Sequence, residues 1–111
     1  MHKAACLLVA ISSLFAIPAA AQNGFAGTVT VTNVVLEGDQ VLLQGTGMLN
    51  PLGCPTGNFV ILSTSAESKS RFLSVAMTAL SGGFKVDLWV QGCGGTSWGP
   101  SAIAYHMNLH R

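Results

Sequence analysis

Hydrophobic and polar positions along the chain change period several times, and each change marks an element. From Lys69 to Ser81, Phe72, Val75, Ala76, Ala79 and Leu80 recur at i, i+3, i+4, i+7 and i+8. One apolar stripe at that spacing predicts a helix lying on a packed surface. Ser65 or Ser68 can cap its start, and Gly82 stands where a left-handed C-terminal residue is wanted. Directly after it, Phe84, Val86, Leu88 and Val90 alternate with polar groups and Trp89. Period two predicts a strand with one buried side.

The remainder reads as strands and turns. Gln22 to Gly27 is a flexible lead-in, and Thr28 to Thr32 alternates with Val29 and Val31 inward. Parity breaks at Asn33, because Val34 and Leu36 occupy the other set of positions, so a bulge or bend belongs there. Glu37-Gly38-Asp39-Gln40 is a turn, and Val41 to Met48 is a strand carrying Val41 and Leu43 inward. Asn50 to Gly57 is dense in turn formers. Phe59-Val60-Ile61-Leu62 is a continuous apolar run suited to a strand covered on both faces. Gly92 to Pro100 is a second loop, and in the last strand Ile103, Tyr105, Met107 and Leu109 alternate with Ala104, His106 and Asn108. The order β-β-β-α-β-β predicts a mainly β domain with one α-helix, a small five-stranded barrel of OB-fold type. A two-layer α+β sheet with one helix is the alternative. The helix stripe would fill the barrel mouth. Leu73 and Met77 extend the apolar arc beyond it, either under loops or toward a neighbouring subunit.

The N-terminus changes the picture of where this domain works. Met1-His2-Lys3, the apolar run Ala4 to Ile17 and the small residues Ala19-Ala20-Ala21 have the layout of an export signal cleaved after Ala21. The run is too short for a membrane anchor. Residues 1–21 are therefore expected to leave, with Cys6 among them, and 22–111 to form one secreted or periplasmic domain. A chain of roughly ninety residues buries only some 60–65% of its unfolded surface, so a staple would help it. Cys54 and Cys93 are expected to supply one in an oxidising compartment. A two-cysteine metal site is the rival, and no histidine lies near either cysteine in sequence.

Charge adds little. Lys69, Arg71, Lys85 and Arg111 balance Glu37, Asp39, Glu67 and Asp87 in the expected mature domain, so no basic or acidic patch calls for nucleic acid or anionic lipid. His106 and His110 fall on the outward face of the last strand, roughly 13 Å apart, too far to share one metal ion. Asp87 stands between Lys85 and Trp89 and most simply offsets the lysine. No nucleophile, base or metal set converges, so the expected function is non-enzymatic, with no catalytic residue, metal or cofactor assigned. A small hydrolase is the weakest reading. Binding rests on the tryptophans: Trp98 in its glycine-rich loop and Trp89 on the polar face of its strand offer flat apolar surfaces to sugar or protein. Equally, Trp98 can pack over the disulfide and Trp89 can cover a subunit contact.

Four features in order carry a resemblance. They are the short exported chain, the loop Asn50-Pro51-Leu52-Gly53-Cys54, the helix Phe72 to Leu80 followed by Gly82-Gly83-Phe84-Lys85-Val86, and Gly92-Cys93 with its final strand. The chain resembles a family of short exported proteins of gram-negative bacteria from about Gly27 to Leu109. More remotely it is similar to the pentameric B subunits of AB-type toxins of the pertussis and subtilase-cytotoxin kind. That resemblance implies an OB fold, assembly into a pentamer and glycan binding, and it carries no sugar-contacting residue onto this chain. The expected partners are thus a glycan or protein ligand and further copies of the chain, with Leu73 and Met77 at the contact. A structural or inhibitory envelope protein acting through protein contacts alone is the alternative function.

Overall fold

The computed structural model describes residues 23–111; the segment 1–21 read as an export signal lies outside them. Five strands and one helix follow in the order β1 (Asn23–Glu37), β2 (Gln40–Thr46), β3 (Val60–Ile61), α1 (Ala66–Gly82), β4 (Lys85–Gly94) and β5 (Ser101–His110). The domain is mainly β with one helix and a single five-stranded sheet. In space the strands run β1-β2-β3-β5-β4, and the sheet closes because β1 also pairs with β4. Every contact between neighbouring strands is antiparallel except β3–β5, which is parallel.

Closure depends on β1, which is long enough to serve two neighbours. Its first half, Asn23 to Thr30, pairs with β4, and Thr30 to Glu37 pairs with β2. Its start at Asn23 corrects the lead-in expected there: Phe25 pairs with Trp89 across the sheet rather than trailing free. A strand shared in this way must coil, and it does so at two register shifts, Phe25/Gly27 and Val31/Asn33. The second is the bulge anticipated from the parity break. It leaves Thr32 and Asn33 exposed and turns Val34 onto the core, while Leu36, at the tip of the hairpin, stays 69% exposed. At Gly27 and Gly47 the chain takes φ of 101° and 85°, and a Cβ at either would strike the other segment's backbone. Only glycine permits both the backbone angle and the close approach.

The core is aliphatic. Val29, Val31, Val41, Leu43, Val60, Leu62, Val86, Leu88 and Val90 are buried together, with Ala102 and Ala104 facing them from β5. The sequence suggests that the larger residues of β5 alternate inward. Instead Ile103 and Tyr105 face outward, and a shift beside Trp89/Val90 brings Met107 onto the core. Leu42 and Ile61 form a second buried pair outside the main core, in register on β2 and β3. The continuous apolar run of β3 therefore packs on both faces, although only Val60 and Ile61 keep strand pairing.

α1 packs chiefly on β1 and touches β2, β4 and β5. The small residues Ala76 and Ala79 are buried to within 1%, which lets the helix lie close, and Phe72, Leu73 and Val75 pack against the core around them. The Ser65 hydroxyl caps the start by accepting from the Ser68 amide at 3.1 Å. The left-handed cap at the far end is Gly83, at φ 71°, one residue beyond the expected Gly82.

Candidate functional site

Two loops are tied to each other beside the sheet, and one of them carries Trp98. The loop after β2 is folded on itself by Asn50, whose amide donates to the Cys54 carbonyl at 2.8 Å and whose Oδ1 accepts from the Cys54 amide at 3.1 Å. Cys54 is then bonded to Cys93 at the end of β4, with Cα atoms 5.9 Å apart. The loop from Gly95 to Pro100 is held at several points. Gln40 donates to the Gly95 carbonyl at 2.7 Å, the Thr56 hydroxyl donates to the Trp98 carbonyl at 2.7 Å, and the Thr56 amide donates to the Pro100 carbonyl at 2.8 Å. Within the loop, the Thr96 hydroxyl donates to the Gly99 carbonyl at 2.6 Å and accepts from the Trp98 amide at 3.0 Å.

The result is an oriented indole. Trp98 stacks on Phe59 with ring centroids 5.0 Å apart and planes at 22°, and 51% of the residue remains exposed. Its ring partner is thus Phe59, which sequence reasoning treated only as the start of a strand. The signal lay in its position just before the buried pair Val60–Ile61, where a large ring can leave the sheet plane.

Trp89 is placed differently. It is the middle of a row across three strands, Phe25–Trp89–His106, with centroid separations of 5.1 and 4.8 Å. Beside that row on the same outer face, Asp87 accepts from the Thr28 hydroxyl at 2.7 Å and from the Asn108 amide at 3.3 Å, and pairs with His110 Nε2 at 3.0 Å. These donors, led by Thr28, lower the Asp87 carboxyl from 3.8 to about 2. The Arg111 carbonyl at His110 Nδ1, and then Asp87, raise the imidazole above its ordinary 6.5. Asp87 thus engages Thr28, Asn108 and His110 rather than merely offsetting Lys85, and His110 is no isolated surface histidine.

Leu73 and Met77 line an apolar groove of about 340 Å³ with Val34, Leu36 and Leu80. Three of these, Leu36, Met77 and Leu80, are substantially exposed. A second recess of about 320 Å³ lies between the start of α1 and the β4–β5 pair, and its wall is mostly hydroxyl, amide and aromatic. No sequence pattern pointed to it, because Gln91 and Tyr105 reach it from strands far from Ser68 in the chain. Among the described residues, no helix is long and apolar enough to cross a membrane. Compared with known protein families, curated proteins and solved structures, the chain finds no match.

Proposed function

We propose that the chain is an exported, non-enzymatic binding module of OB-fold type that takes carbohydrate on Trp98. The spatial order β1-β2-β3-β5-β4, β1 closing onto β4 and a helix between β3 and β4 support the OB reading. The Cys54–Cys93 bond is compatible with an oxidising compartment, and so with a cleaved signal at residues 1–21 ahead of one domain over 22–111. The single observation that carries the binding reading is the indole of Trp98, backed by Phe59 on one face and half exposed. A flat ring already held in place loses little freedom when it stacks on sugar C–H groups. A glycan array tests this. The wild-type protein is expected to retain a discrete set of glycans, and Trp98→Ala to lose them while keeping its circular dichroism. Silence for wild type, or an unchanged pattern for the variant, refutes it.

A second reading, self-association, is favoured by the groove of Leu36, Leu73, Met77 and Leu80. An apolar strip of this kind is costly to leave wet. Light scattering after size exclusion is expected to show an oligomer that Leu36→Ser with Met77→Ser dissociates. A monomeric wild type removes this reading and the toxin-B analogy with it.

A further inference from the structure

We propose that the recess between the start of α1 and the β4–β5 pair is a subsite for a neutral saccharide, a proposal that rests on the carbohydrate-binding reading above. Its volume, about 320 Å³, is at the small end of ligand sites in general. Its wall has two kinds of surface. Thr64 and Ser68 bring hydroxyls and Gln91 an amide, each able both to donate and to accept, while Phe72 and Tyr105 bring ring surface. A sugar presents the same two surfaces, hydroxyls around its rim and C–H groups on its faces.

The polar groups are available. Ser63 and Ser65 spend their hydroxyls on the backbone amides of Ser65 and Ser68. Among the described residues, no side-chain hydrogen bond engages Thr64, the Ser68 hydroxyl, Gln91 or Tyr105. Four groups with open hydrogen-bonding capacity therefore border one cavity, contributed by the β3–α1 loop, α1, β4 and β5.

Charge decides the ligand class. Among the described residues, no charged side chain lines the recess. A helix start would ordinarily favour an anion, but here the Ser65 hydroxyl already takes the Ser68 amide and Glu67 places a carboxylate in the first turn. Glu67 lies 3.7 Å from Arg71 on an open surface, where such a pairing is weak. With the Ser68 amide taken and a carboxylate in the first turn, this end of α1 offers an anion less than an open helix start would, which favours a neutral ligand.

The test is a 15N–1H NMR titration of the protein produced from the whole chain. The probes are the methyl glycosides of glucose, galactose, mannose and N-acetylglucosamine, with glucuronic acid as the charged arm. The variants are Gln91→Ala and Tyr105→Ala, checked for fold by their amide spectra. At least one neutral glycoside is expected to shift the Ser68, Gln91 and Tyr105 amides saturably. Each variant should weaken that glycoside about tenfold, the loss of one good polar or stacking contact. Shifts confined to Trp98 and Phe59, or wild-type affinity retained in both variants, overturn the recess and leave the Trp98 reading standing. Tighter binding of glucuronic acid overturns the neutral class. If no saccharide shifts any amide and the array is silent as well, both readings fall together.

Discussion

The two tryptophans are restrained by different means, and the contrast separates what supports this fold from what it offers to a partner. Trp89 is fixed by the sheet itself, with Phe25 and His106 on either side in cross-strand register. Trp98 is fixed by a bridge and a handful of hydrogen bonds, and among the described residues has a ring against it only at Phe59. An indole between two neighbours contributes packing across β1, β4 and β5. An indole with a single ring neighbour keeps surface for something else. The same residue type thus serves cohesion in one region and presentation in the other, and the difference lies in how many neighbours the backbone supplies.

The largest way to break the contrast is to cut the tether. Cys54→Ser opens a loop of 39 residues in sequence separation, a constraint that chain entropy values at about 4 kcal/mol. Thermal melts should show a marked fall, matched in wild type by adding reductant. Only the Trp98 side should also lose its fixed orientation, seen as a fall in near-ultraviolet circular dichroism that Trp98→Phe removes. A melting temperature indifferent to reductant would show that the bridge is not what holds this region.

Next in size is the sheet's own tryptophan. Trp89→Ala removes a half-buried indole and both of its ring contacts, at an expected cost of about 2 kcal/mol or more. Trp98→Ala, removing a half-exposed ring with one ring contact, should cost about 1 kcal/mol or less. Urea unfolding of the two variants ranks them. Equal losses would mean that the loop tryptophan is as structural as the strand one.

The Trp89 side also carries a pH-dependent tie between Asp87 and His110. Asp87 lies at about 2, below its ordinary 3.8, so its contribution is complete above the ordinary value and is lost as pH falls toward 2. His110 is raised above 6.5, so its share is complete below 6.5 and is lost as pH rises through the raised value. The two overlap between about pH 4 and 6.5, where the tie of Asp87 to β1 and β5 is strongest. Asp87→Asn should therefore lower the melting temperature most in that window and least as pH falls below it toward 2. Gly95 to Pro100 contains no ionisable side chain, so the Trp98 signal should hold steady over the same range. A variant that melts in parallel with wild type at every pH would dismiss the tie.

The helix, the bulge in β1, the strand order along the chain and the cysteine pair were legible because each leaves a local mark: a period, a parity break or a count. The apolar arc of Leu73 and Met77 was legible for the same reason, as excess width on a helix stripe. What the sequence hid was made by closure. The pairing of Phe25 with Trp89 joins residues far apart in the chain, and the inward turn of Ala102 and Ala104 follows from a register shift in β5. Phe59 beneath Trp98 is equally non-local, and so is the recess, since hydroxyls from α1 meet Gln91 and Tyr105 only once β4 and β5 stand beside the helix. Periodicity reports which face a residue takes within its own element. It carries no information about which residue another element places opposite.

The smallest change sharpens the contrast most, because it loosens Trp98 while leaving its ring, its bridge and the whole Trp89 row in place. The Thr96 hydroxyl is used twice, donating to the Gly99 carbonyl and accepting from the Trp98 amide. Thr96→Val keeps the branched shape and removes both bonds, an expected loss of about 1 kcal/mol. That is too little to unfold a stapled domain. It is enough to let the loop sample orientations in which Trp98 leaves Phe59. In a Trp89→Phe background, the remaining Trp98 fluorescence should become more accessible to acrylamide and its anisotropy should fall. Glycan affinity should drop several-fold through lost orientation alone, since the ring is still present. In a Trp98→Phe background the same substitution should leave Trp89 unchanged. If quenching and affinity both stay at wild-type values, the Cys54–Cys93 bridge and the Thr56 contacts suffice to hold the loop, and the orientation of Trp98 owes nothing to Thr96.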